Sequence, residues 1–260
     1  MLILLPPSEG KTAPTSGAPV DLDALVHAEL APARRKVLEA LAEASAHDDA
    51  LEVLGVGASL TEEVARNTTL MTAPAAPGAR VYTGVLYAAA DLASVLDGDD
   101  DVARGRLADV LTFSALWGLV RPTDRVPAYR LSMSVDLPGI GPLAKFWRPE
   151  LTVLDERAEG DVVVDCRSSS YAAAWRVPAG AEHVQVKVLR ELDGKRSVVS
   201  HHAKHTRGLL TGHLLRRAAE PPRTAAELLD AAGEMVGAQL YDAALVPGKK
   251  HSTLELVVTD

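Results

Sequence analysis

TFSALWGLVRPTDRVPAYRLSMS, residues 112–134, combines three aromatic residues, one glycine, two prolines and three arginines, a mixture foreign to a plain core helix. Its spacing predicts a helix that ends near Trp117, is stopped by Gly118 and is followed by a turn closed at Pro122. Arg121, Tyr129 and Arg130 then gather near the break. Guanidinium groups beside a turn suit phosphate or carboxylate. The plainer alternative is a capped helix with solvated arginines.

Outward from this segment, the chain reads as mixed α/β. The apolar run Met1 to Leu5, ended by Pro6 and Pro7, suits a buried strand. Residues 21–46 are rich in Ala and Leu and predict one or two helices, with Pro32 in a first turn. Ser59 with Glu62 and Thr224 with Glu227 have the spacing of capping boxes, for helices reaching Thr69 and Tyr241. Residues 80–82, 161–165, 183–189 and 197–201 read as strands from their β-branched content. There is no internal repeat and no long Gly/Ser linker, so one compact α/β (mixed α+β) domain over residues 1–260, with a central cleft, is the simplest expectation.

The 260 residues are 47% hydrophobic and carry one cysteine, Cys166, which excludes an intramolecular disulfide and a cysteine-based zinc site. Cys166 follows the apolar residues 162–164, so burial rather than peroxide sensing is its expected state. No segment has the make-up of a signal peptide or a membrane span; a cytoplasmic monomer is expected. The net charge of −8 argues against a general nucleic-acid binder. Its distribution is uneven: residues 195–223 hold seven Lys or Arg and one acid, Glu220, whereas residues 97–101 hold four aspartates. An acidic molecule with one basic cleft still focuses its field there, although a charge run is more often a solvated face.

Four groups of residues carry chemistry. At residues 6–12 a strand, a turn and GKT invite comparison with a phosphate-binding P-loop. That motif needs a glycine where Leu5 stands, and Pro6 and Pro7 remove two N–H donors. Lys11 survives as a single cation at a strand mouth. At residues 81–84, VYTG offers Tyr82 for stacking or hydrogen bonding. The opening segment supplies Arg121, Tyr129 and Arg130, with Trp117 a core anchor. The last group is Lys145 and Trp147 with Ser168, Tyr171, Lys204 and Arg207; Ser168 and Tyr171 follow a strand, a common ligand position in α/β folds. Ser168 and Lys204 as nucleophile and base lack any spacing argument. His201, His202 and His205 are metal-ligand types, but a strand over 197–203 would point His201 and His202 to opposite faces. No metal and no cofactor is expected.

Six segments occur in an order that resembles the YaaA peroxide-stress family: MLILLPPSEGKT at the start, VYTG at 81–84, LWGLVRPTD at 116–124, PAYRLSM at 127–133, KFW at 145–147 and AKHTRGL at 203–209. Lys11, Lys204 and Arg207 stand at motif positions. The resemblance implies a cytoplasmic bacterial protein that protects DNA during peroxide stress by binding it, in a single-domain α/β fold with a helix-hairpin-helix-like element. Such a hairpin grips phosphate through backbone amides between glycines. Here Ala115, Leu116, Trp117 and Gly118 occupy the corresponding positions, so only the second glycine is present.

Two functional expectations follow. In one, Lys11, Arg121, Arg130, Lys145, Lys204 and Arg207 line a cleft for the DNA backbone, with Tyr82, Tyr129 and Trp147 near unpaired bases. In the other, the same cations with Ser168 and Tyr171 form a closed enzyme pocket for a nucleotide or another phosphorylated small molecule.

Overall fold

Leu2–Leu5 (β1) is buried along its whole length, as four consecutive apolar residues require of a strand covered on both faces. In the computed structural model, which describes residues 1–198 and 201–259 and His201 by its backbone alone, β1 lies inside an eight-stranded mixed sheet. The other strands are β2 (Val110–Ser114), β3 (Gly118–Val120), β4 (Val162–Asp165), β5 (Glu182–Leu192), β6 (Lys195–Val198), β7 (Asp242–Val246) and β8 (Ser252–Val258). Their order is β7-β8-β5-β4-β1-β2-β3, with β6 paired to β5. Strands β2, β1, β4, β5 and β8 are parallel neighbours, while β3, β6 and β7 pair antiparallel.

From β1 the chain passes to β2 on one side, and it later returns with β4 on the other side. Leu5 faces Thr112 and Leu4 faces Asp165, so the carboxyl ends of the three strands stand level. The segments that leave β1 and β4 therefore depart from neighbouring strand ends, where α/β sheets bind ligands. The main helices are α1 (Ala31–Ser45), α2 (Val85–Ala90), α3 (Leu143–Glu150), α4 (His201–Arg216) and α5 (Ala225–Gly233). One contiguous apolar cluster runs from Met1 to Leu256.

The opening segment departs from its sequence reading. Residues 110–120 form a tight β hairpin, not a helix, with Phe113 opposite Leu119 and Ser114 opposite Gly118. Ser114 Oγ accepts from the N–H groups of Leu116 (3.2 Å) and Trp117 (3.0 Å), which turns the chain. Gly118 has φ +69, and the ring of Trp147 fills the place of its missing side chain. The expected helix-hairpin-helix is therefore absent at residues 115–118. A glycine after an apolar run punctuates helices and hairpins alike, and a side chain from α3 decides between them.

Other expectations are met in part. Pro32 sits in the first turn of α1. Thr224 caps α5 by accepting from the Glu227 N–H, but that helix ends at Gly233 rather than near Tyr241. The Glu227 carboxylate accepts from the Arg223 N–H instead of completing the box. Ser59 caps nothing; a 3₁₀ turn occupies Ala58–Leu60. Gly78–Val81 is a helical turn rather than a strand. The strand expected over 197–201 ends at Val198, residues 199 and 200 lie outside the described residues, and α4 begins at His201.

Candidate functional site

Two of the motifs, more than seventy residues apart in sequence, meet at the carboxyl end of β1. Lys11 pairs with Tyr82 in an isolated bridge, the Thr12 N–H donates to the Val81 carbonyl at 2.9 Å, and Thr12 Oγ1 donates to Thr83 Oγ1 at 3.1 Å. Ser8, buried in the turn, accepts the Gly84 N–H at 2.7 Å and donates to the Gly10 carbonyl. The two prolines that spoil a P-loop thus help shape a different turn, closed by side-chain hydrogen bonds.

Lys11 Nζ donates to the Ser8 carbonyl at 2.8 Å and lies 4.2 Å from the centre of the Tyr129 ring and 5.7 Å from that of Tyr82. It has no carboxylate within ion-pair distance among the described residues. Burial pushes its pKa down from 10.5 to about 8; Glu9 and Glu63 oppose that shift, and Arg130 adds to it. Beneath it runs a hydroxyl chain, Tyr82 to Tyr129 (3.2 Å) and Tyr129 to Ser114 (2.7 Å). Tyr87 donates to the Pro6 carbonyl at 2.9 Å and accepts from Thr112 at 2.8 Å. Burial raises the pKa of all three tyrosines, so each remains a neutral phenol.

Arg130 covers the same turn. It contacts the Glu9 carbonyl (3.1 Å), the Glu9 carboxylate (3.0 Å) and, more distantly, Glu63 (3.6 Å). A pocket of ≈190 Å³ lies between residues 6–10 and 84–87, with Lys204 at its edge. Lys204 arrives on α4, which packs against α2 so closely that a side chain at Gly208 would meet the Leu86 carbonyl at 2.2 Å. A second pocket of ≈350 Å³ lies on the far side of Glu9 and Arg130. A larger concavity, ≈630 Å³, is an open groove on α1, away from these groups.

Several candidate residues do not join the site as expected. Tyr82 and Tyr129 are 1% and 3% exposed and Trp147 is fully buried, donating to the Ala115 carbonyl at 2.7 Å, so none presents a face to a base. Tyr171 is buried and accepts from the Met133 N–H at 3.4 Å. Ser168 is exposed beside Ser170, with no contact to Lys204. Arg121 is exposed just past the end of β3, and Lys145 is exposed on α3 without a hydrogen bond or ion pair among the described residues. Arg207 is bound to the Val186 carbonyl at 2.9 Å. Three of the seven cations in the basic run 195–223 are ion-paired: Arg196 with Glu191 and Asp242, Arg216 with Asp91, and Arg217 with Glu234. His202 and His205 are carried on α4 rather than on a strand, and the His201 side chain lies outside the described residues. Among the described residues no three metal-ligand side chains gather.

Sequence reasoning missed a buried network one strand away. Arg167 grips Asp165 through two bonds (2.9 and 2.7 Å) and stacks on Phe113 at 4.3 Å, while His183 Nε2 lies 3.1 Å from Asp165. These partners hold the Asp165 carboxyl well below the usual range despite its burial. Asn67 and Ser114 were also missed; short polar residues in mixed stretches carry no periodic signal.

Fold and site together define a mixed α/β protein with a lysine–tyrosine–serine cluster at the level ends of its parallel strands. The chain belongs to the peroxide stress protein YaaA family, whose sequence profile matches residues 1–234, a span that contains all six motifs. It is 44% identical to a UPF0246 protein of Streptomyces coelicolor, over 99% of this chain and 98% of that one. A UPF0246 protein of Corynebacterium efficiens is 40% identical over 89% and 91% of the two chains. A third, from Burkholderia lata, is 30% identical over 60% and 63%. Among the described residues no helix is long and apolar enough to cross a membrane.

Proposed function

We propose that this peroxide-stress family member is an enzyme acting on a phosphorylated, nucleotide-like small molecule, with Lys11 as the reacting or proton-accepting amine. The state of Lys11 carries this reading. An amine pushed down to about 8 is partly neutral near physiological pH, where an ordinary lysine is almost wholly charged. It lies over the faces of Tyr129 and Tyr82 with no carboxylate within ion-pair distance among the described residues, and the cationic neighbours Arg130 and Lys204 suit an anionic substrate. Reductive ¹³C-methylation followed by NMR titration tests it. A Lys11 signal titrating near pH 8 is expected; a midpoint at the ordinary lysine value sinks the reading.

DNA binding is the second reading, favoured by the exposed Lys204, which has no ion-pair partner among the described residues, at the edge of the ≈190 Å³ pocket. Of the six expected DNA-binding cations, Lys11, Arg130 and Arg207 are occupied within the fold, so about three remain for phosphates. Anisotropy titrations of labelled duplex and single-stranded DNA at several salt concentrations distinguish the two readings. With roughly three free cations, the log–log salt slope of any binding is expected to be shallow, about −3 or less in magnitude. A steep slope abolished in Lys204→Ala would favour DNA over the small molecule.

A further inference from the structure

We propose that Arg130 is an exchangeable anion seat: a phosphoryl group displaces the carboxylates of Glu9 and Glu63 from its guanidinium. This deepens the small-molecule reading of the Lys11 site and rests on it.

The Arg130 backbone is held in place, and its side chain is less exposed than the carboxylates that meet it. Fully buried Asn67 brackets the Arg130 backbone, accepting from its N–H at 2.9 Å and donating to its carbonyl at 2.9 Å, and Asn67 itself donates to Ser45 at 3.1 Å. The Arg130 side chain is 17% exposed, whereas those of Glu9 and Glu63 are 59% and 35% exposed and come from separate elements. A shielded cation met by two more exposed carboxylates is readily re-paired, since exposed ion pairs are weak.

The adjoining ≈350 Å³ pocket is lined by Arg130 and by Ser132 and Ser134, whose hydroxyls lie 3.0 Å apart. A planar fork beside a hydroxyl pair that keeps one proton free to donate matches the oxygens of a phosphoryl group. Glu9 walls both this pocket and the ≈190 Å³ pocket. Withdrawal of its carboxylate joins the two spaces, so a molecule anchored at Arg130 extends past the turn that holds Lys11. Asp136, also in the wall, disfavours a second anionic group on that side.

Calorimetric titration with inorganic pyrophosphate at low ionic strength tests the exchange. Wild type is expected to bind. Glu9→Gln/Glu63→Gln, which removes the competing charges, is expected to bind about threefold to tenfold more tightly. Arg130→Met is expected to lose binding, and Arg130→Lys to recover only part of it, because an ammonium lacks the fork. Absence of pyrophosphate binding, an Arg130→Met variant that binds normally, or a double glutamine variant with unchanged or weaker affinity each overturns the proposal. If Arg130→Met fails to fold, the surface double variant still decides. A short DNA duplex that competes with pyrophosphate identifies a backbone phosphate as the natural occupant; a duplex without effect identifies a free phosphorylated molecule. Lys11 titration in the same samples separates the two readings: a normal Lys11 with intact, Arg130-dependent binding removes the amine chemistry and leaves the anion seat.

Discussion

The indole of Trp147 occupies the space that a side chain on Gly118 would need, its nearest ring carbon 2.8 Å from that position. The contact joins α3 to the β2–β3 hairpin, and the indole N–H donates to the carbonyl of Ala115 at the hairpin tip. Because Gly118 also has φ +69, a methyl group there meets both the ring and an unfavourable backbone conformation.

Gly118→Ala is therefore expected to destabilise the fold by about 2–4 kcal/mol. Trp147→Phe, which keeps much of the ring but loses the hydrogen bond, is expected to cost about 1–2 kcal/mol. Urea melts of both variants check the order; equal costs would mean that the ring, not the glycine, dominates the contact.

Arg34 is fully buried and donates to the carbonyls of Leu22, Val26, His27, Trp117 and Leu119. It ties the irregular segment before α1 to the hairpin. Arg34→Met leaves these acceptors without their donor and is expected to cost about 3–5 kcal/mol, and Arg34→Lys to restore little, since an ammonium cannot reach carbonyls spread around a planar fork. Full rescue by lysine in a denaturant melt would show that charge alone is needed.

Stability should depend on pH through Lys11 with a definite sign. Its pKa is about 8 in the fold against 10.5 in the unfolded chain, chiefly because burial disfavours the ammonium. Between these values the unfolded state binds more protons, so this group's contribution rises with pH from about 8 to 10.5 and is flat below. The stability of wild type minus that of Lys11→Met, measured by urea melts, is expected to climb across that window. A difference that stays constant from pH 7 to 10 would refute the shift.

Cys166 lies at the end of β4 with its N–H bound to the Leu4 carbonyl, and burial pushes its thiol up to about 12. Native protein is expected to resist iodoacetamide and hydrogen peroxide at pH 7, with labelling appearing only on unfolding. Rapid native labelling, read by mass spectrometry, would restore Cys166 as a peroxide sensor.

Sequence alone determined the elements whose signals are local: the all-apolar strand β1, the β-branched strands β4 and β5, the proline in the first turn of α1 and the threonine cap of α5. Side-chain periodicity and capping chemistry act over a few residues, so they are readable without partners. Six short motifs also identified the family and suggested one cleft for Lys11, Arg121, Arg130, Lys145, Lys204 and Arg207 with Tyr82, Tyr129 and Trp147; of these, Lys11 lies against Tyr82, Tyr129 and the Arg130 turn, whereas Trp147 is buried in the core and Arg207 is bound to a strand carbonyl. Tertiary structure decided the rest. Gly118 ends a strand turn rather than a helix because Trp147, from a distant helix, packs on it. Arg34 and Arg35 are adjacent and identical in kind, yet one is buried and the other exposed. Arg207, Arg216 and Arg217 read as a basic run until carbonyls and carboxylates from elsewhere occupy them, whereas Lys11 reads as a charged cation at a strand mouth until burial lowers its pKa. A charge is set by what surrounds it in space, and for these residues the surroundings come from parts of the chain far away in sequence.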